Sequence, residues 1–286
     1  MRLKRLSLIL GLCLVLWSTS QAQNHGDISV KVSAHNGSYL ITSASLNWKF
    51  GGNLGQEMED LKSGQGTDEL GSFQYFSFKW KKVVAYQGTI RWYRNSPIVI
   101  FTITAPNGVV GESLEPFPVF DQIPGDLYHF SYENKEFAAP EFSLTQTSTP
   151  WMLFNDKKEA CVISPASDFI VSKLTGDGVK NITSGLNPEV QHLPKGFSHQ
   201  TIMVLGKGIG HSWDIWGGAL RAIYHRVRPS NNADLVLKYY GYWTDNGADY
   251  YYNYDTTKGY ENTLLSLKKH YRQEGIPLGY MQLDSW

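Results

Sequence analysis

Cysteine is nearly absent from this chain of 286 residues, which holds two, Cys13 and Cys161. Cys13 lies in an apolar N-terminal run behind Leu12, where a lipoprotein signal would place a small residue. Cys161 is then the one thiol left to the folded protein, which excludes an intramolecular disulfide. Stability has to come from burial, and a chain of this length can supply it. Cys161 sits in EACVISP, an apolar strand-like setting that suits an inert buried thiol. Charge of one sign is lacking too. Lys and Arg number 26 against 26 Asp and Glu, and without Arg2, Lys4 and Arg5 the balance is 23 to 26. That leaves no basic footprint for nucleic acid. The eight His residues show no HExxH or other paired spacing, so no zinc is expected. The glycines of residues 205–211 fit neither a Walker nor a dinucleotide fingerprint. No internal repeat is found, and no cofactor is called for.

Long hydrophobic runs are missing except at the N-terminus. Residues 6–17 are apolar, short of the roughly 20 residues a membrane span needs. Arg2, Lys4 and Arg5 precede them, and Ser20-Gln21-Ala22 follows with small residues at the positions a signal peptidase reads. The expectation is a secretory signal peptide over residues 1–22, cut after Ala22, and an exported chain that is soluble or loosely attached to a surface. Asn36-Gly37-Ser38 and Asn181-Ile182-Thr183 are glycosylation sequons, meaningful in a eukaryotic source.

Aromatic residues are abundant: 14% of the chain, with 9 Trp and 17 Tyr. Such a surplus suits large β-sheet cores, and it suits sugar-binding surfaces, where a flat ring covers the apolar face of a pyranose. Residues 27–206 read as β-structure without helical periodicity. DISVKVSA alternates, PIVIFTITA is nearly continuous in apolar residues, and Asn107-Gly108 signals a turn. In FQYFSFKW the parity switches between Tyr75 and Phe76, which predicts a β-bulge. Residues 55–71 are Gly-rich, polar and acidic and read as a long surface loop. Its carboxylates (Glu57, Glu59, Asp60, Asp68, Glu69) lack ordered calcium-ligand spacing. Many short strands between turn signals imply a large antiparallel sandwich over residues 23–210.

Beyond Gly210 the texture changes. Trp213, Trp216, Leu220, Ile223, Tyr224 and Val227 recur at helical spacing, with Ser212 as a candidate cap and Pro229 as the stop. This predicts a connector helix within residues 211–233. Residues 235–243 read as a strand, residues 260–274 as a helix capped by Gly275, and residues 278–283 as a second strand. Strand, helix, strand with one crossover makes a parallel βαβ unit. Asp245, after the first strand, and Asp284 with Trp286, after the second, are then expected on one rim, the face where α/β barrels hold their active sites. Trp243 ends the first strand. Asp245 is read equally as a sugar contact and as a turn or cap residue. Tyr250, Tyr251, Tyr252 and Tyr254 are read either as a subsite or as loop packing.

A β-sandwich, then GYWTD (residues 241–245), then LDSW (residues 283–286), resembles the start of glycoside hydrolase clan D, in particular the family 36 α-galactosidases and raffinose-synthase-like proteins. The resemblance implies a mainly β chain, a large antiparallel β-supersandwich followed by the first βαβ unit of an incomplete (β/α)8 TIM barrel over residues 234–286. It implies a retaining α-glycosidase acting on α-linked oligosaccharides or polysaccharides. Its two catalytic Asp residues would come from the fourth and sixth barrel strands, beyond Trp286, so the sequence is expected to be an N-terminal portion. On this match Asp284 hydrogen-bonds sugar hydroxyls, Trp286 walls the pocket, and Trp243 stands near the strand-one tryptophan. Leu283 departs from the family's paired acids and Ser285 from its Gly or Cys, which weakens the case for galactose. A non-catalytic sugar-binding or adhesion sandwich, and a relative of the family 31 α-glucosidases, are the other readings.

Overall fold

The computed structural model describes residues 20–132, 140–142, 144, 149–244 and 254–283. Contacts divide the chain into two compact units, Met1–His225 and Arg226–Trp286.

In the first unit, β1 (Ser20–His25), β2 (Ile28–Ser33), β3 (Ser38–Ser43) and β4 (Trp48–Asn53) follow one another as antiparallel hairpins. A second meander takes β5 (Glu59–Asp68), β6 (Gly71–Lys81), β7 (Ala85–Tyr93) and β8 (Ile98–Ala105). Shorter strands come next: β9 (Val109–Val110), β10 (Val119–Gln122), β11 (Tyr128–Tyr132), β12 (Pro140–Glu141) and β13 (Trp151–Phe154). The unit continues through β14 (Glu159–Pro165), β15 (Ser172–Gly176), β16 (Ile182–Leu186), β17 (His192–Leu193), β18 (Phe197–Lys207) and helix α1 (Ile209–Ile223).

Two large antiparallel sheets result, ordered β1-β2-β3-β4-β10-β16-β15 and β12-β11-β13-β14-β18-β8-β7-β6-β5, while β9 and β17 pair with each other. One apolar cluster draws on both. The inward residues Ile28, Val30, Val32, Ile41 and Phe120 of one sheet meet Phe76, Phe78, Trp80, Phe101 and Met203 of the other. The chain is thus mainly β, built as a sandwich. A second cluster covers the opposite face of the larger sheet, where Ile98, Ile100, Val162, Ile202 and Val204 meet Trp213, Trp216 and Ile223 of α1. A stretch buried on both faces needs consecutive apolar side chains, and β8 accordingly opens IVIF, all buried, before alternating with the half-buried Thr102 and Thr104.

That second face explains one departure from expectation. β6 pairs with β7 in unbroken register from Phe73–Tyr93 to Lys81–Ala85, so no bulge lies between Tyr75 and Phe76. Phe76, Phe78 and Trp80 fill the sandwich core, whereas Phe73, of opposite parity, joins Tyr93 in the cluster near α1. The register shift falls on the other side, between β5 and β6.

Residues 59–68 are a strand, not part of a loop. Gly and acidic residues are poor strand formers, yet here they make the sheet's edge, where polar and charged side chains discourage pairing with another chain. Asp60 pairs with Lys79 at 2.8 Å, while Asp68 accepts from Arg91 (2.9 Å) and from the Tyr93 hydroxyl (2.7 Å). Among the described residues, no three His, Cys, Asp or Glu side chains gather.

Helix α1 stops at Ile223, short of Pro229, with His225 at φ 50 just beyond its cap. Gly208 caps its start; Ser212 lies inside the first turn and its hydroxyl donates to the Gly208 carbonyl at 2.9 Å. The Trp213 and Trp216 rings meet edge to face at 5.4 Å, and the Trp216 indole N–H donates to Ser164 Oγ at 2.8 Å. Both rings are half-buried and pack against the second cluster.

β1 begins at Ser20, so it straddles the expected cleavage point after Ala22. Cutting there would leave Gln23, Asn24 and His25 paired with Val30, Ser29 and Ile28.

The second unit contains α2 (Leu235–Lys238), β19 (Tyr240–Trp243), α3 (Gly259–Gln273) and β20 (Leu278–Gln282). Residues 235–238 therefore form a helical turn where a strand was expected. Asp234 accepts from the Val236 N–H at 2.9 Å, and this cap diverts the apolar run from extended backbone. α3 presents Thr263, Leu264, Leu267 and Tyr271 as its least exposed face. It ends in a Schellman motif: Gly275 has φ +70, its N–H donates to Arg272, and Ile276 N–H reaches Tyr271 O at 2.9 Å.

Candidate functional site

β19 and β20 pair in parallel, joined through α3. Parallel strands need such a crossover, and the pairing puts both C-terminal ends on the same side. The last rung is the Thr244 N–H donating to Gln282 O at 3.2 Å. Thr244 is buried at 5% relative exposure, and Trp243 beside it is 42% exposed. An indole that far open at a strand end can lie against a ligand's apolar face. Asp245, Asp284 and Trp286 lie outside the described residues, as do Tyr250, Tyr251 and Tyr252. Of the predicted site residues the structure therefore places Trp243, and it places the two backbone ends that lead to the others.

A bulge fixes the register of this pair. Tyr240 faces Leu278 and Gly241 faces Tyr280, leaving Gly279 as the extra residue on β20. A Cβ on Gly279 would stand 2.3 Å from Tyr239 Cβ, an atom that side-chain rotation cannot move away. Gly279→Ala should therefore force the strands apart, at a cost of about 1–3 kcal/mol. Amide hydrogen exchange reads this as roughly tenfold or greater loss of protection at Thr244; unchanged protection would show that the bulge is not tightly packed.

Tyr254, the one described member of the tyrosine group, lies against Tyr260 with ring centroids 4.1 Å apart. Next to it, Asp255 accepts from Lys258 Nζ at 2.7 Å and from the Thr257 hydroxyl at 2.6 Å. The Lys258 ammonium, then the Thr257 hydroxyl, hold the Asp255 carboxyl at about 2. This turn precedes α3 and its acid is occupied by its own neighbours, so it offers no proton donor.

One polar constellation escaped sequence reasoning because its parts lie far apart in the chain. His199 Nδ1 stands 3.2 Å from Asp168 Oδ2 and 3.2 Å from Ser167 Oγ, and the Ser167 hydroxyl donates to Asp168 at 2.6 Å. Its composition suggests a hydrolytic triad, but its geometry does not. Serine and aspartate both crowd Nδ1, while Nε2 is buried without a partner among the described residues and the imidazole is wholly inaccessible. The cluster ties the 165–172 turn to β18. Burial pushes the His199 pKa below its ordinary 6.5, against an upward pull from Asp168.

The sign of the pH effect follows. The unfolded chain takes up the imidazole proton near pH 6.5, while the folded protein resists it, so stability falls as pH drops below about 6.5 and levels off under the lowered folded value. The steepest slope is about 1.4 kcal/mol per pH unit for one proton. Denaturation midpoints from pH 5 to 8 should show this dependence, and His199→Gln should lose that component of it. An equal slope in the variant would assign the effect to other groups.

No protein-family model matches the chain, and no curated protein sequence matches it. Solved structures do. The α-N-acetylgalactosaminidase NagBb from Bifidobacterium bifidum, in its GalNAc complex, is 11% identical, with a TM-score of 0.56 over 93% of this chain and 51% of that one. A quadruple mutant of NagBb gives a TM-score of 0.54 at 11% identity, covering 93% of this chain and 52% of that chain. A glycoside hydrolase family 97 enzyme from Pseudoalteromonas sp. strain K8, in complex with acarbose, is 12% identical, with a TM-score of 0.49 over 78% of this chain and 40% of its own. The chain spans about half the length of the NagBb structures it matches. At these identities the likeness establishes a fold, and the structures that share it are glycosidases.

Proposed function

We propose that this chain is the N-terminal part of a secreted retaining α-glycosidase, resembling the α-galactosidases, in which the sandwich precedes a (β/α)8 barrel begun by β19, α3 and β20. The observation that carries this reading is the parallel β19–β20 pair, whose ends meet at the Thr244–Gln282 hydrogen bond. The likeness to NagBb over 93% of the chain supports it. Parallel βα units close into barrels whose C-terminal rim carries the substrate site.

On this reading Asp284 binds sugar. An ionised carboxylate accepts two charge-assisted hydrogen bonds from neighbouring hydroxyls, each stronger than a neutral one. Trp286 and Trp243 offer flat rings to the apolar face of the sugar, and Asp245 adds a further acceptor. The nucleophile and the acid/base would be two further carboxylates, about 5–5.5 Å apart as retention requires, on barrel strands beyond residue 286. Secretion follows from cleavage after Ala22.

The test is hydrolysis of aryl α-N-acetylgalactosaminides, α-galactosides and α-glucosides by the protein read on through its downstream coding region. Release of the phenol with the α-anomeric sugar as first product is expected, and none from the 286-residue chain alone. Release by that chain alone, or a β-anomer first, would overturn the assignment.

A further inference from the structure

A cleft of about 380 Å³ opens in the first unit between the turn after β7, the end of β18 and the start of α1. Its volume falls in the range of small-molecule sites, roughly 300–1,000 Å³. Arg94, Lys207 and His211 line it. Among the described residues no side chain pairs with any of the three. The opposing charge is Asp27, and it is occupied: its carboxylate accepts from the Ser43 hydroxyl at 2.6 Å and from the Ser45 N–H at 2.7 Å.

The cleft is built, not a gap between loose side chains. Leu205 N–H donates to Pro97 O at 2.9 Å, which fixes the turn after β7 onto β18. Pro97, Leu205 and Ile215 give it an apolar wall. α1 starts beside it with neither a side-chain cap nor an acidic residue in its first turn.

We infer that this cleft binds a sugar unit carrying an acid group, a uronate carboxylate or a sugar sulfate. Arg94 and Lys207 take the anion, the guanidinium offering paired donors to its oxygens, and the apolar wall takes the C–H face of the ring. The sugar as carrier rests on the glycosidase reading; the anion rests on the cleft's own residues. The site is distinct from the β19–β20 rim in sequence and chemistry, and it would hold an acidic glycan while neutral sugar is processed elsewhere.

Calorimetric titration of the 286-residue protein with galacturonate, galactose 6-sulfate, galactose and inorganic sulfate tests this. At least one acidic sugar should bind about tenfold tighter than both galactose and inorganic sulfate, the worth of roughly one charge-assisted hydrogen bond. The double variant Arg94→Gln/Lys207→Gln should bind it about tenfold more weakly or not at all, and the salt dependence should vanish with it. All three side chains are exposed, so fold is expected to survive, and Arg94→Lys, which keeps the charge but loses the paired donors, should lose part of the affinity. Lys79→Gln, on the sheet edge, should change nothing. Equal binding of galactose and the acidic sugars, sulfate alone binding as tightly, or an unaffected double variant would overturn the inference. Because binding is read without turnover, failure here is separable from failure to hydrolyse α-glycosides.

Discussion

Phe101→Ala is expected to lower the unfolding free energy of the first unit by about 3–5 kcal/mol. Phe101 is fully buried in β8, near the middle of the larger sheet. Its ring reaches across the sandwich to Tyr39 of β3 at 6.3 Å and Phe120 of β10 at 5.6 Å, and touches Phe117 at 5.6 Å. Those partners are held from their own side. The Tyr39 hydroxyl donates to Val119 O at 2.6 Å and accepts from Val119 N–H at 2.7 Å, so neither ring can easily slide into the space left behind. The cavity stays open, and its cost adds to the lost burial. Domains of this kind have about 5–15 kcal/mol in all, so the variant should unfold at markedly lower denaturant, followed by near-UV circular dichroism of the aromatic core. Val83→Ala, at a turn position 66% exposed, should move the midpoint little, within about 0.5 kcal/mol. A loss below about 1 kcal/mol for Phe101→Ala would mean that the two sheets do not share this core.

The sandwich was legible in the sequence wherever one face of a strand alternates or both faces are covered: residues 28–32 and 98–105 declare themselves by composition. It was illegible where burial and composition part company. Residues 59–68 carry loop chemistry because an edge strand is selected for resisting partners, not for burial. Residues 235–237 carry strand chemistry, but a single capping acid at Asp234 turns them into helix. The parity switch at Tyr75–Phe76 signalled something real, a second buried face, and a bulge was the wrong explanation because sequence periodicity cannot tell which side of a sheet is covered. For the candidate site, the crossover and the parallel sense followed from strand-helix-strand spacing. The Ser167–Asp168–His199 cluster could not follow from any spacing, since β18 brings His199 back to a turn some thirty residues earlier only through sheet pairing.

The second large effect is expected at Asp284. If it accepts two hydrogen bonds from sugar hydroxyls, Asp284→Ala removes both, at about 1.5–3 kcal/mol each for a charged acceptor. The combined loss corresponds to a fall of about 100-fold or more in kcat/KM. Trp286→Ala should cost less, since stacking contributes about 0.5–1.5 kcal/mol beyond burial. Asp284→Asn separates charge from shape: it keeps the side chain's size and one acceptor, and should recover part of the loss.

The most direct test of the account is therefore kcat/KM of Asp284→Ala against the unsubstituted protein, both carried through the full coding region, on whichever aryl α-glycoside the latter cleaves. A drop of about two orders of magnitude or more is expected. A ratio within twofold would contradict it, because the rim formed by β19 and β20 would then not hold the sugar.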